Sequence, residues 1–283
     1  MSKIGVNTWV WTSPLTTDEF ARMVQKIARM GFDLIEVPIE GTSDLDYAVA
    51  AGLARDFGLA VSVCAAIGPD RDLIHPDEHV RANAMAYLRH CIGAAHTLGA
   101  KNVCGPLYSA VGRTWQATED ERRRDVDLLV DELRTLAKEA GDQGVVLGIE
   151  PLNRFETSFM NLADQAIEVV DRVDHSACGV MFDTFHMNIE ERSVGQAIAA
   201  AGPRLKHVHA CENDRGAPGS GHVPWREVAD ACKAIGFDGP FVIESFTAKV
   251  KSIARAAAIW RPLAASQDAL AEDGLKFLRG LLQ

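Results

Sequence analysis

No apolar stretch in this 283-residue chain approaches the roughly 20 residues needed to span a bilayer. Nor does a basic flank with an apolar core open it, so neither a membrane anchor nor a secretory leader is expected. Positive charge is also short. Lys and Arg total 29 against 39 Asp and Glu, a formal net charge of −10, which argues against a nucleic-acid backbone or an anionic membrane as partner. The one basic run, Arg122-Arg123-Arg124, follows Glu119, Asp120 and Glu121 and reads as the solvated start of a helix. The six cysteines form no C-x-x-C pair, which excludes the common zinc and redox motifs and points to buried, reduced thiols in a cytoplasmic protein. Only Cys211 is ambiguous, because it lies beside the candidate site described below. No Gly/Ser-rich or Pro-rich tract marks a linker, so residues 1–283 are expected to form one domain with a helical extension at the carboxyl end.

Short apolar runs rich in β-branched residues alternate with longer amphipathic stretches, the pattern of repeated βα units. Eight such runs are Ile4–Trp9, Leu34–Ile39, Ala60–Ala65, Asn102–Leu107, Val145–Glu150, Gly179–Asp183, Leu205–Ala210 and Phe241–Ser245. Thr16–Glu19 and Thr118–Glu121 each fit a capping box at a helix start, and the second leads into an apolar stripe from Val126 to Ala140. Gly31, Gly58, Gly99, Gly144 and Gly236 fall just before strands, where a helix must stop. Eight parallel strands with helical crossovers predict an α/β fold, the (β/α)8 TIM barrel. A doubly wound open sheet is the rival, and the lack of a phosphate-cradling glycine loop after the first strand counts against it.

Strands of a parallel barrel all point one way, so residues at their carboxyl ends converge on one face. Strand five ends in Glu150, strand six in Asp183 and strand eight in Glu244, while strand seven carries His207 and His209. Three carboxylates at the ends of apolar runs are costly to desolvate unless a positive charge joins them, and a divalent cation is the simplest resolution. Three oxygen donors and one imidazole, with no thiolate, favour Mn²⁺, Mg²⁺ or Co²⁺ over a structural zinc. No organic cofactor is expected. The loops that follow place Glu156 and His186 within reach of a bound polyol. Arg215 either points back at substrate oxygens, the preferred reading, or pairs with a neighbouring acid.

These segments resemble the ketose 3-epimerases, the D-tagatose and D-allulose 3-epimerases of the xylose-isomerase-like TIM-barrel superfamily. The resemblance is carried by NRFE at Asn153–Glu156, DTFHMNIEE at Asp183–Glu191, the HxH and acidic, Arg-containing loop at His207–Arg215, ESF at Glu244–Phe246, and Ala258–Arg261. It implies that Glu150, Asp183, His209 and Glu244 hold one metal ion, with Mn²⁺ the first choice and Co²⁺ or Mg²⁺ possible. It implies that Glu156, His186 and Arg215 bind the substrate around its first three carbons, and that Glu150 and Glu244 are the acid/base pair. The reaction so implied is removal of the C3 proton of a free ketose, passage through an enediolate and return of a proton to the opposite face. A homodimer or homotetramer is also implied, with the Ile253–Trp260 helix as a contributor of apolar surface.

The chain departs from the family at the first strand, after the fourth strand, and in the seventh loop, where Cys211 replaces a usual Gly. Trp9, Trp11, Tyr108, Trp115 and Phe246 are therefore candidates for a different pocket wall. One rival keeps the site and changes the substrate to a sugar phosphate, a keto-inositol or hydroxypyruvate, with Lys249, Lys251 and the Gly216–Gly221 loop as a phosphate seat. Isomerase, epimerase and dehydratase chemistry all belong to that rival. A non-catalytic sugar-binding or metal-storage protein and a DNA-repair endonuclease are further alternatives. Two carboxylates suited to proton transfer argue against the first, and the acidic balance with too few ligands for a metal cluster argues against the second.

Overall fold

The computed structural model describes residues 2–283. Eight parallel strands, β1 (Ile4–Asn7), β2 (Leu34–Ile39), β3 (Ala60–Ala65), β4 (Asn102–Gly105), β5 (Val146–Ile149), β6 (Cys178–Asp183), β7 (Leu205–Ala210) and β8 (Phe241–Ile243), pair in sequence order. The pairing of β1 with β8 closes the barrel, so the open doubly wound alternative falls. Helices α1 (Thr17–Met30), α2 (Tyr47–Asp56), α3 (Glu78–Leu98), α4 (Glu119–Asp142) and α5 (Ala163–Val173) make the first five crossovers. The sixth uses two, α6 (Thr184–Glu190) and α7 (Val194–Ala201), and the seventh uses α8 (Trp225–Ala234). After β8 come α9 (Lys251–Ala256) and α10 (Gln267–Leu281), the latter packed on β1, β8 and α8.

Local chemistry sets these boundaries. At α4 the capping box is reciprocal: Glu121 N donates to Thr118 Oγ1 at 3.3 Å and Thr118 N donates to Glu121 Oε2 at 2.8 Å. At α1 only half of it forms, because Glu19 turns its carboxylate to Arg22 while its N–H still donates to Thr16. Gly31 and Gly99 close α1 and α3 in the left-handed conformation, at φ +90° and +71°, where a side chain would clash with its own carbonyl. Several strands are shorter than the apolar runs suggest. Asn7 caps a 3-10 turn over Thr8–Val10 by accepting from Trp9 N at 2.9 Å, so Trp9 leaves the ladder. Glu150 and Glu244 likewise lie just beyond β5 and β8. The expected Ile253–Trp260 helix is corrected to Lys251–Ala256, since Ala258 adopts φ +54° and turns the chain.

Apolar burial falls in two places. The larger core lies between strands and helices, and the stripe Leu129, Val130, Leu133, Leu136, Ala137 and Ala140 of α4 contributes one face of it. Each fully buried Leu or Val there stabilises the fold by about 1.5–3 kcal/mol. A small separate cluster, including Trp9, Cys64, Cys104, Met181 and Phe246, belongs to the barrel interior. Much of that interior is polar instead: Asn7, Glu36, Ser62, Asn102 and His207 are all buried. A bulge between β6 and β7 pairs Val180 with Leu205 and then Met181 with His207, bringing His209 opposite Asp183. His207 and His209, two residues apart on one strand, therefore share the inward face.

Candidate active site

Strand ends bring the four candidate ligands together. Asp183 ends β6 and also caps α6: its Oδ1 accepts from Phe185 N at 2.7 Å, leaving Oδ2 for the site. Glu150, Asp183 and His209 each bring one donor atom within 4.8 Å of the others. Glu244 joins through Asp183 and through His209, whose Nδ1 lies 3.3 Å from Glu244 Oε1. All four residues are buried.

Burial pushes Asp183 up to about 6 despite Arg215 beside it, and pushes Glu150 well above the carboxylate range with Asp183 and Glu244 adding to it. At Glu244 burial acts in the same direction, but His209 and Arg215 outweigh it and hold that carboxyl below its ordinary value. His209 Nε2 meets Glu36 Oε1 at 2.7 Å, so Nδ1 is the nitrogen left for the site. That Nδ1 has no hydrogen-bond partner among the described residues although it is buried against acids. An orphaned imidazole nitrogen among buried carboxylates fits a divalent cation, which Glu150, Asp183, His209 and Glu244 could hold between them.

Arg215 is drawn into the same cluster. Its Nη1 donates to Asp183 Oδ2 at 2.6 Å and to Glu244 Oε2 at 2.8 Å, so pairing with neighbouring acids is what its first nitrogen does. The guanidinium lies 3.9 Å from the Phe185 ring and 5.1 Å from that of Phe246, while Ser245 Oγ donates to its carbonyl at 2.7 Å. These restraints hold Arg215 at φ +66°, a conformation costing about 1–3 kcal/mol in a residue other than Gly. Its Nη2 stands 3.2 Å from His186 Nε2. Asn153 points both its backbone N–H (3.0 Å) and its side-chain amide (2.9 Å) at His186 Nδ1, so Nε2 carries the ring proton. Burial and Arg215 hold His186 well below its ordinary value, and it stays neutral. Two N–H donors thus converge on one spot, as an oxygen acceptor requires. Glu156 accepts from Asn153 Nδ2 at 2.9 Å, and burial raises its carboxyl.

Glu150, Glu156, His186, Arg215 and Glu244 line one cavity of about 420 Å³, with Trp9, Cys64, Ile67, Leu152 and Phe246 among its apolar walls. Asp183 and His209 are buried behind them. The candidate aromatic wall divides. Trp9 and Phe246 line the cavity, their rings 5.5 Å apart. Trp11 instead donates to Asp268 from Nε1 at 2.6 Å, because the 3-10 turn carries it toward α10. Tyr108 is core, packed on Phe159, and Trp115 is 56% exposed under the Arg113 guanidinium. These three are not wall residues.

The family described as xylose isomerase-like TIM barrel matches residues 24–281. A probable ketose 3-epimerase of Synechocystis sp. is 32% identical over 281 residues, covering 99% of this chain and 97% of that protein. A D-psicose 3-epimerase of Ruminiclostridium cellulolyticum is 33% identical over 94% of this chain and 91% of its own length. The chain belongs to the ketose 3-epimerases of this TIM-barrel family. A solved L-ribulose 3-epimerase structure superposes with a TM-score of 0.93 at 32% identity, covering all of this chain and 95% of its own. Members so named are epimerases, enzymes of the isomerase class.

Several residues of the family motifs prove to be struts. Arg154 of NRFE donates to Glu190, the last residue of α6, from N and Nη2, at 2.8 and 2.9 Å. Glu191, which caps that helix, accepts from Ala163 N at 2.7 Å and ties its end to α5. Glu36, by contrast, was missed by sequence reasoning. Its signal was a single acid inside the otherwise apolar run of β2, away from the strand end. The Gly216–Gly221 loop is no anion seat. Gly219 N (2.8 Å), Val223 N (2.9 Å) and Trp225 Nε1 (2.8 Å) all donate to the buried Glu212 carboxylate, which already fills the place an anion would take.

Proposed function

We propose that this chain is a divalent-metal-dependent ketose 3-epimerase acting on free ketoses, with Glu150, Asp183, His209 and Glu244 as ligands and Mn²⁺ as the first choice of ion. The observation that carries the reading is the unpartnered His209 Nδ1 facing three buried carboxylates, two of which also line the cavity. Co²⁺ and Mg²⁺ suit the same donors. Burial, with Asp183 and Glu244 beside it, keeps the Cys211 thiol well above its ordinary value, so it contributes no thiolate. It donates to Glu244 O at 3.1 Å instead.

Glu150 and Glu244 both reach the cavity, and a reaction that removes and returns a proton needs two such carboxylates. One is placed to take the C3 proton and the other to return one, with the roles exchanged in the reverse direction. They rise from β5 and β8, three strands apart in the closed barrel, and so approach a bound sugar from different sides. A divalent ion held there would supply positive charge to the two oxygens flanking the reacting bond. His186 Nε2–H and Arg215 Nη2 offer convergent donors to the same developing oxyanion, and Glu156 is placed to accept from a substrate hydroxyl.

A phosphorylated substrate finds no support in the Gly216–Gly221 loop, where Gly219 N is spent on Glu212, Gly216 N on Asp214 and Ser220 N on Ala217. The reading extends to a single domain over residues 1–283, to a cytoplasmic location in keeping with six unpaired cysteines, and to a homodimer or homotetramer. Trp260 and Phe155, each 75% exposed, are the most exposed large apolar side chains among the described residues and are the first candidates for self-association. No helix among the described residues is long and apolar enough to cross a membrane. The test is incubation of free and phosphorylated ketoses with Mn²⁺ in deuterated water. Deuterium is expected at C3 of a free ketose, and Glu150→Gln and Glu244→Gln should each lower that exchange by at least about 10²-fold. Exchange at another carbon, or in phosphorylated substrates only, would overturn the reading.

A further inference from the structure

Glu36 lies on β2 and is wholly buried inside the barrel. One carboxylate collects donors from four other strands, β1, β3, β7 and β4, the last through Cys104 Sγ, which donates to Oε2 at 3.7 Å. Oε1 accepts from Asn7 Nδ2 at 3.0 Å and meets His209 Nε2 at 2.7 Å, while Oε2 accepts from Ser62 Oγ at 2.8 Å. His207 Nε2 is 3.0 Å from Oε2, in a bent contact that leaves it without an aligned partner. The orientation of Asn7 is itself fixed, because its Oδ1 accepts from Trp9 N at 2.9 Å and only its amide N–H can turn to Glu36. Asn102 Nδ2 likewise donates to His207 Nδ1 at 3.0 Å, which puts the His207 ring proton on Nε2. Glu36 is therefore anchored from both sides of the barrel before His209 is considered.

We propose that Glu36 is a positioning residue: by accepting the Nε2–H of His209 it fixes the ring's tautomer and rotation so that Nδ1 faces Glu150, Asp183 and Glu244. The inference rests on the metal-site reading above and goes beyond it by assigning a residue that touches neither ion nor substrate. The bond has two consequences. An imidazole can present only one unprotonated nitrogen when the other donates, so the contact decides which nitrogen binds. A carboxylate partner also makes that nitrogen a stronger donor, and loss of such a partner typically weakens metal binding by about 10–100-fold. A separate cation held by Glu36, Cys104, His207 and His209, whose donor atoms also cluster, is disfavoured because Oε1 already serves both Asn7 and His209 and Oε2 has Ser62, His207 and Cys104 against it.

The experiment is Mn²⁺ titration calorimetry on metal-stripped protein, with the visible spectrum of the Co²⁺-loaded protein as a second readout. Glu36→Gln should bind Mn²⁺ about 10–100-fold more weakly and shift the Co²⁺ bands, since an amide cannot accept from His209 while also matching the donors on its other side. His207→Gln keeps a donor toward Glu36 and leaves the His209 contact intact, so its Mn²⁺ affinity should stay within about threefold of the parent, inside the spread expected for a change that spares the contact. Equal weakening in the two variants would mean that Glu36 is only part of a polar filling, and the proposal would fail. Wild-type affinity in Glu36→Gln, or two Mn²⁺ ions per chain in the parent, would also overturn it. Should Glu36→Gln not fold, Ser62→Ala, which removes one donor from Oε2 and leaves the His209 bond, must retain parental affinity and spectrum. Absence of Mn²⁺ binding in the parent protein would sink the metal-site reading itself, a result distinct from all of these.

Discussion

A metal ion at the proposed site would compete with protons, and the raised carboxyls set the range. Burial raises the Asp183 carboxyl to about 6 and the Glu150 carboxyl further from its ordinary value. Glu244 and Glu36 together overcome the burial that would lower His209 and raise it well above its usual range. A carboxyl whose folded pKa is raised above its unfolded value adds stability below the unfolded pKa, and loses that contribution as pH rises through the folded value. Metal-free protein should therefore lose stability between pH 5 and 7.5, where Asp183 ionises, while the ion's affinity grows over the same interval. With Mn²⁺ at about 100 times its dissociation constant at pH 7.5, the stabilisation is about 2.7 kcal/mol. At roughly 2–4 °C per kcal/mol for a chain approaching this size, Tm should rise by about 5–10 °C. At pH 5 only about one Asp183 in ten is ionised, which weakens binding about tenfold, or about 1.4 kcal/mol. Glu150 and His209 act in the same direction, so the shift should fall to half or less. Differential scanning calorimetry of chelator-treated protein, with and without Mn²⁺ at each pH, reads both effects. A Tm shift of equal size at pH 5 and 7.5 would refute the competition and, with it, the ligand assignment.

Trp9→Ala should raise KM for the ketose about tenfold, about 1.4 kcal/mol, because the ring lines the cavity against Phe246. Trp115→Ala, on an exposed ring under Arg113, should leave KM within about twofold, inside the range expected of a surface change. Steady-state kinetics on the pair separates wall from surface. Gly105→Ala should destabilise the fold by about 2–4 kcal/mol, since its Cβ would sit 2.1 Å from Ala65 O at φ +130°. Gly52→Ala in α2, with nothing within 4 Å of the new methyl, should stabilise by about 0.5–1 kcal/mol. Urea denaturation of both variants checks the sign at each position.

The barrel was legible because its evidence is local and repeated. β2, β3 and β7 coincide with the apolar runs read from the chain, and misplacement is confined to strand ends where a side chain leaves the ladder to do something else. Asn7 turning to cap Trp9 is one case, and Glu150 turning inward past β5 is another. The candidate ligands were legible for a different reason: parallel strands make strand ends neighbours, so position along each strand predicts proximity without knowledge of the loops. Arg215 defeated that logic. Its partners come from two distant segments, Asp183 and His186 at the β6–α6 junction and Glu244 beyond β8, and its left-handed backbone is held by Ser245 beside Glu244.

Glu36 was hidden by the same rule that made the ligands visible. Attention to strand ends passes over an acid in mid-strand, and an isolated strand does not reveal which of its faces will turn to the barrel axis. Barrels of this kind usually fill that axis with branched apolar side chains in layers. Here one layer is polar, with Asn7, Glu36, Ser62, Asn102 and His207 in it, and the layer above holds Glu150, Asp183, Glu244 and Arg215. His209 joins the two, with Nε2 on Glu36 below and Nδ1 toward the acids above. A polar layer costs stability unless every member is satisfied, which explains why one carboxylate is so fully surrounded. The upper layer must keep its polar atoms available for a ligand, and the lower layer lets it do so by holding its shared residue still.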